Sequence, residues 1–86
     1  MKSKIEILEK LKESIHEVSL GMVALESIRP ESRIIGDLGL DSMDYATVML
    51  TVERWSGIKI KEDGVDWSKV QTVDQLADLI MANTPK

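Results

Sequence analysis

Residues 36–43 read Gly36-Asp37-Leu38-Gly39-Leu40-Asp41-Ser42-Met43, and they predict where a loop ends and a helix begins. Two glycines interrupt the stretch, which is typical of a loop. Asp41 and Ser42 can each accept a hydrogen bond from the unpaired backbone N–H groups of a first helical turn. We therefore expect a helix to start at Asp41 or Ser42, with the Ser42 hydroxyl exposed at its N-terminus.

Apolar residues on both sides of this stretch recur at helical spacing. In the helix that follows, Gly57 can take the left-handed conformation that ends a helix, and the predicted buried face consists of Tyr45, Val48, Met49, Val52 and Trp55. An earlier helix is predicted to end near Leu20, before Gly21, with an apolar stripe at Ile5, Leu8, Leu11, Ile15 and Val18. Both segments indicate amphipathic helices that share a core.

The last helix carries the clearest start signal. Thr72-Val73-Asp74-Gln75 has the spacing of a capping box, in which two side chains satisfy free backbone N–H groups reciprocally. Asn83 and Pro85 are expected to end this helix, and its apolar face consists of Val73, Leu76, Ala77 and Ile80.

A long connection, from Gly21 to Leu40, separates the first two helices. Apolar anchors favour its packing against the domain, and they are Val23, Leu25, Ile28, Ile34, Ile35 and Leu38. Val65, Trp67 and Val70 predict one short helical turn, whereas Ile58-Lys59-Ile60 is too short for a strand. We therefore predict an all-α fold: a small four-helix bundle, with three longer helices, one short helix and a long loop between helices one and two.

Size and composition limit the possible functions. A chain of 86 residues is predicted to form a single domain, residues 1–86, with room for one core and one site. The chain has no cysteine, which favours a reducing compartment and excludes disulfides and thiolate metal sites. Its N-terminus lacks a long apolar stretch, so we expect a cytoplasmic protein without membrane insertion. We also expect a monomer.

The net charge of −4 is concentrated near Ser42. Residues 37–57 contain four acids and one base, Arg54, which gives this segment a charge of −3. Such a field repels nucleic acid and favours encounters with basic protein surfaces. We therefore expect no nucleic-acid partner. The acidic run Glu62-Asp63-Gly64-Val65-Asp66 lacks the ligand spacing of an EF-hand, so no metal is expected.

Ser42 has no candidate base that would make it a catalytic nucleophile. His16 is the only histidine and lies far from Ser42 in sequence, so we expect it to have a solvated surface role. We predict that the protein is not an enzyme and that another enzyme modifies Ser42. The alternative is a helical adaptor or regulator in which Ser42 is only a helix cap or a phosphorylation site.

The run from Gly36 to Asp44 resembles the attachment site of the acyl carrier protein family, whose pattern is an acidic residue, Leu-Gly, a small or apolar residue and Asp-Ser-Leu. Helix order, length and acidity agree with this resemblance. It implies that Ser42 bears 4′-phosphopantetheine, donated from coenzyme A by a phosphopantetheinyl transferase. The chain would then be a carrier-protein domain that presents acyl or aminoacyl thioesters to acyl-loading and acyl-processing enzymes.

The outward face of the Ser42 helix is predicted to bind these enzymes. It consists of Met43, Ala46, Thr47, Leu50 and Arg54, and the nearby acids Asp37, Asp41, Asp44 and Glu53 are predicted to contribute to the same surface. Fatty-acid carriers of the family usually have leucine in place of Met43 and acidic residues near Thr47 and Arg54. These departures indicate a dedicated rather than a housekeeping pathway.

Aromatic residues leave two interpretations open for the cargo. Tyr45 either narrows the space for an acyl chain, which would favour short, polar or aminoacyl cargo, or packs in the core with its hydroxyl at the surface. Trp55 and Trp67 are predicted to form the principal aromatic core, because the chain has no phenylalanine.

Overall fold

The structure is a computed structural model that describes residues 3–60 and 65–83. Three α-helices cover Lys4–Val18 (α1), Ser42–Ser56 (α2) and Val73–Ala82 (α3), and single 3₁₀ turns cover Leu25–Ser27 and Trp67–Lys69. The described residues contain no strand, and an isolated bridge pairs Arg33 with Thr72. The predicted all-α class is confirmed. The predicted short fourth helix is only a 3₁₀ turn, and a second such turn lies inside the long connection.

Helix α1 begins with a capping box that joins Ser3 and Glu6 through two hydrogen bonds of 3.2 Å. It ends at Val18, two residues before the predicted end. Leu20 and Gly21 both have positive φ angles, of 57° and 80°, which turns the chain away from the helix axis. The left-handed conformation predicted for Gly21 is therefore confirmed.

The predicted buried stripe of α1 is partly wrong. Ile5 is 73% exposed, whereas Ile7, Leu11, Ser14 and Ile15 are buried. Helix α1 packs against both α2 and α3, and the face that meets them runs through Ile7 and Ser14. Leu11 and Ile15 belong to this face as well, and Leu8 and Val18 are partly buried against the core. The predicted stripe was therefore wrong only at Ile5.

Helices α2 and α3 follow their sequence signals closely. Asp41 caps α2 by accepting a hydrogen bond of 2.8 Å from Asp44 N, and Gly57 ends the helix with a φ of 74°. Thr72 and Gln75 form the predicted capping box of α3. Asn83 is the C-cap of α3, whereas Pro85 lies outside the described residues.

The core lies between the three helices and the long connection. The connection contributes Ile28, Ile34 and Leu40, which are buried. Val23 and Leu38 pack against the core as partly buried anchors. The predictions for Leu25 and Ile35 were wrong, because both are exposed. The remaining buried apolar residues come from the helices and from the segment after α2: Ile7, Leu11, Ile15, Val48, Met49, Val52, Ile58, Ile60, Val73, Leu76, Ala77 and Ile80.

Backbone hydrogen bonds attach the long connection to the start of α3. Ile34 N donates to Gln71 O at 2.9 Å, Val73 N donates to Ser32 O at 3.0 Å, and Asp74 N donates to Pro30 O at 2.8 Å. We call this set of three bonds the loop–α3 seam. It satisfies backbone groups that would otherwise be unpaired beside the core.

His16 has a structural role that the sequence did not reveal. It is partly buried, and its Nδ1 lies 2.8 Å from the carbonyl oxygen of Val23. Ser19 Oγ also donates to His16 O at 2.8 Å. The prediction of a solvated surface histidine was therefore wrong, because His16 fixes the first residues of the long connection.

Candidate functional site

Ser42 is the first residue of α2, and its hydroxyl is exposed. The residue that caps the helix is Asp41, whose side chain accepts from Asp44 N. Among the described residues, Ser42 Oγ has no hydrogen-bond partner. The Ser42 hydroxyl is thus not required to hold the helix together and is accessible from solvent.

The N-terminus of α2 gives the region around Ser42 a positive potential. The first backbone bond of the helix runs from Tyr45 N to Asp41 O at 3.0 Å. The N–H groups of Ser42 and Met43 therefore precede the bonded part of the helix, where they and the helix dipole favour an anion. A phosphate ester on Ser42 would be stabilised at this position.

One of the predicted acidic residues near Ser42 is already neutralised by a partner. Arg33 Nη2 lies 3.1 Å from Asp37 Oδ1, and Arg33 N donates to Asp37 Oδ2 at 2.8 Å. The Arg33 guanidinium lowers the pKa of the Asp37 carboxyl chiefly by hydrogen bonding to it. Asp37 therefore contributes little net charge to the surface, while Asp41 is the helix cap.

A cavity of about 410 Å³ opens beside Ser42. Its apolar lining comes from Ile35, Tyr45, Trp67 and Val70, and the other lining residues are Arg33, Gly36, Ser42, Ser68 and Gln71. The polar side chains other than Ser42 already have partners: Ser68 Oγ donates to Asp66, and Gln71 Nε2 donates to Ser68 O at 2.6 Å. The cavity therefore offers mainly apolar surface to a group attached at Ser42.

Tyr45 packs against the core and also lines the cavity. Its hydroxyl donates to Val70 O at 3.2 Å. The Tyr45 and Trp67 rings meet edge to face, with centroids 6.1 Å apart. Trp67 is 37% exposed, so its predicted place in the aromatic core was wrong. Trp55 is partly buried and packs against the core, as predicted.

The outward face of α2 is exposed as predicted. Met43 is 78% exposed and Leu50 is 47% exposed, and Ala46, Thr47 and Arg54 are exposed too. Thr47 Oγ1 donates to Met43 O at 3.0 Å, so the helix itself satisfies this hydroxyl. The face therefore presents a nearly continuous apolar strip from Met43 to Leu50. Asp44 and Glu53 are partly buried beside it.

A family model described as a phosphopantetheine attachment site matches residues 9–80 of this chain. The chain belongs to the acyl carrier protein family. An acyl carrier protein of Thermotoga maritima is 35% identical over 93% of this chain and 94% of its own length. Another, from Nitratidesulfovibrio vulgaris, is 33% identical over 84% of this chain and 90% of its own length. Membership implies a covalently attached 4′-phosphopantetheine group.

This acyl carrier protein has surroundings at Ser42 that fit such a group. The hydroxyl is exposed and unbonded within the described part of the chain, the helix N-terminus suits a phosphate, and the neighbouring cavity offers apolar surface. Within residues 3–60 and 65–83, no three His, Cys, Asp or Glu side chains cluster as metal ligands. None of the described helices has the length and apolar character to cross a membrane.

The pKa of Tyr45 provides a test of this geometry. Burial raises the pKa of the Tyr45 phenol from 10.0 to about 12. Since the raised pKa belongs to the folded state, the stabilisation from the neutral phenol is complete below pH 10 and is lost as the pH rises towards 12. Tyr45 is the only tyrosine, so ultraviolet absorption of tyrosinate reports on it alone.

We expect the tyrosinate signal of the folded carrier to appear well above the pH at which the urea-unfolded chain titrates. Circular dichroism at each pH would separate titration of the folded protein from alkaline unfolding. A titration midpoint in the folded protein equal to that of the unfolded chain would show that the Tyr45 phenol is solvated and not buried.

Proposed function

We propose that Ser42 is the attachment residue for 4′-phosphopantetheine and that the protein carries acyl groups as thioesters for a dedicated pathway. The observation that supports this most directly is the unbonded, exposed Ser42 hydroxyl at a helix N-terminus that Asp41 already caps. The attached group supplies the thiol on which an acyl chain is carried. This chain has no cysteine of its own, so no native thiol competes for acyl groups.

The residues around Ser42 favour a carrier over an enzyme. Among the described residues, the lining of the adjacent cavity contains no carboxylate and no imidazole. His16 Nδ1 lies within hydrogen-bonding distance of Val23 O. Nucleophilic catalysis needs a base within hydrogen-bonding reach of the hydroxyl. We therefore assign deprotonation of Ser42 to the phosphopantetheinyl transferase, which binds the carrier and coenzyme A together.

Loading of the purified protein tests the proposed function. After incubation with coenzyme A and a promiscuous phosphopantetheinyl transferase, we expect the intact mass to increase by one phosphopantetheine group. The Ser42 hydroxyl loses its proton and gains the phosphodiester, while adenosine bisphosphate leaves coenzyme A. An unchanged mass, under conditions that load an established carrier in the same tube, would favour the adaptor alternative.

The outward face of α2 supports a dedicated pathway. Thr47 and Arg54 are exposed where the family's fatty-acid carriers are usually acidic, and the Thr47 hydroxyl is bonded within the helix. We propose that Met43, Ala46, Thr47, Leu50 and Arg54 bind partner enzymes mainly through apolar contact, with acidic support from Asp41, Asp44 and Glu53. Asp37 has a smaller part because it is paired with Arg33.

Restoring the two missing acids is expected to strengthen binding to a fatty-acid synthesis enzyme with a basic docking surface. We expect the double variant Thr47→Glu, Arg54→Glu to bind roughly tenfold more tightly, because each new rim charge contributes up to about 1 kcal/mol. Surface plasmon resonance at low and physiological salt would measure this, and the gain should shrink at higher salt.

A matched control shows whether the gain in affinity depends on the position of the new charges or only on the change in net charge. The double variant Ser27→Glu, Arg29→Glu makes the same charge change in the long connection, outside α2. It should leave the affinity nearly unchanged. If the wild-type protein already binds as tightly as the Thr47→Glu, Arg54→Glu variant, the dedicated-pathway proposal is wrong.

A further inference from the structure

A second cavity of about 410 Å³ lies along α2. Its lining residues are Tyr45, Ala46, Met49, Leu50, Glu53 and Trp67. Of the residues that the structure describes, Tyr45 and Trp67 are the two that also line the cavity beside Ser42. The edge-to-face aromatic pair therefore stands between the two spaces, and we call it the aromatic partition.

The partition is held in place by backbone groups. Tyr45 OH donates to Val70 O at 3.2 Å, and Val70 N donates to Trp67 O at 3.1 Å. Trp67 also begins a 3₁₀ turn whose N-cap, Asp66, accepts from Ser68 N at 3.2 Å. The Tyr45 hydroxyl and the Trp67 backbone are therefore tied to the same short backbone segment, which keeps the two residues adjacent.

The two cavities differ in what surrounds them. The first contains Ser42 in its wall, whereas the second is bordered by Ala46 and Leu50 on the outward face of α2. A long acyl chain that ran from the first cavity into the second would therefore reach the proposed docking face. A chain confined to the first cavity would leave that face free for partner enzymes.

We infer that the aromatic partition of Tyr45 and Trp67 is a specificity determinant that limits bound cargo to short acyl groups in the cavity beside Ser42. This inference rests on the proposed attachment at Ser42. The two cavities have the same volume, about 410 Å³ each, so the boundary formed by the aromatic pair, and not a difference in size, carries this inference. Without the partition, the two cavities would form one continuous groove.

The position of an attached acyl chain tests this inference directly. The wild-type protein, Tyr45→Ala and Trp67→Ala would each be loaded from butanoyl- or dodecanoyl-coenzyme A and compared by amide NMR. In the wild type, we expect both chains to shift amides of the first cavity, such as Gly36 and Gln71, and to leave Ala46 and Leu50 unshifted. In either variant, the dodecanoyl chain should also shift Ala46 and Leu50.

Thermal unfolding gives a second readout. A bound group stabilises the folded state in proportion to its burial there, so we expect dodecanoyl to raise Tm more than butanoyl only in the two alanine variants. Trp67→Ala removes a side chain that is already 37% exposed, so it provides the test if Tyr45→Ala fails to fold. Trp55→Ala is the matched control, because Trp55 lines neither cavity.

Chemical attachment of an alkyl chain, which needs no transferase, tests the aromatic partition independently of phosphopantetheine attachment at Ser42. The chain has no native cysteine, so the thiol of a Ser42→Cys variant reacts with an alkyl methanethiosulfonate to give a mixed disulfide, and methanesulfinate leaves. If transferase loading fails but long alkyl chains on this thiol reach Ala46 and Leu50 only in the alanine variants, attachment at Ser42 is wrong and the partition stands. If dodecanoyl or its alkyl counterpart shifts Ala46 and Leu50 equally in the wild type, the partition is refuted.

Discussion

Substitution of Ser42 by alanine is expected to abolish phosphopantetheine loading completely while leaving the protein folded. The substitution removes only the exposed hydroxyl group, and Asp41 rather than Ser42 caps the helix. An exposed position of this kind changes the free energy of unfolding by no more than about 0.5 kcal/mol when it is substituted. Intact mass after incubation with coenzyme A and a transferase measures loading, and urea unfolding measures stability.

Two control variants make the loading result specific. Ser56→Ala lies at the other end of α2, where Ser56 Oγ donates to Val52 O at 2.7 Å, and it should load normally. Asp41→Ala removes the cap and should lower the free energy of unfolding by about 1 kcal/mol. If Ser42→Ala destabilised the protein as much as Asp41→Ala, the hydroxyl would be structural, and residual loading of Ser42→Ala would place the arm elsewhere.

The substitution Leu76→Ala is expected to cause the largest loss of stability. Leu76 lies in α3 and its side chain is fully buried in the core. Removing a buried leucine side chain costs about 2–5 kcal/mol, because apolar contacts are lost and a cavity remains. Small domains have total stabilities near the lower end of the usual range of about 5–15 kcal/mol. We therefore expect a large fall in the urea midpoint at constant m-value.

The matched control is the same substitution on the surface. Leu50 is 47% exposed on the outward face of α2, so Leu50→Ala should lower the free energy of unfolding far less than Leu76→Ala. For partner binding we expect the opposite order. Leu50→Ala should weaken binding and Leu76→Ala should not, when both are measured at a salt concentration at which the protein is fully folded. Equal losses of stability in both variants would contradict the assignment of Leu76 to the core.

Helix boundaries were predictable where one local interaction sets them. Asp41 and Thr72 cap their helices through hydrogen bonds to residues three positions later, and Gly57 alone supplies the left-handed residue that ends α2. These interactions act within a single turn, so the sequence contains all of their components. The exposed position of Ser42 followed from the same local reasoning.

Interactions between distant segments were less predictable. The stripe of α1 that contains Ile5 and the one that contains Ile7 both have helical spacing, and only packing against α2 and α3 selects the second. The contact of His16 with Val23 depends on a backbone carbonyl, which leaves no sign in the sequence. Ile35 and Trp67 are apolar but line an open cavity, so hydrophobicity alone assigned both wrongly to the interior.

From the sequence, Tyr45 was the only residue that we linked to a space for an acyl chain beside Ser42. Ser68 and Gln71 also line it, yet no motif marks them, because they reach the site through the 3₁₀ turn and the segment before α3. Their positions depend on the fold of the segment between α2 and α3. Sequence patterns predict such irregular segments poorly, since they have no periodicity.

The main-chain bonds of the loop–α3 seam help to position the backbone around the cavity, and these bonds do not depend on which side chains line it. Arg33, Ile35 and Gly36 on one wall and Gln71 on the other are positioned by main-chain bonds, including the one from Ile34 N to Gln71 O. Every amino acid except proline can donate such bonds, and proline can still accept them, as Pro30 does here. Residues that line the cavity can therefore be substituted without loss of these bonds, and if the proposed partition is correct, changes at Tyr45 and Trp67 alone are expected to alter the cargo.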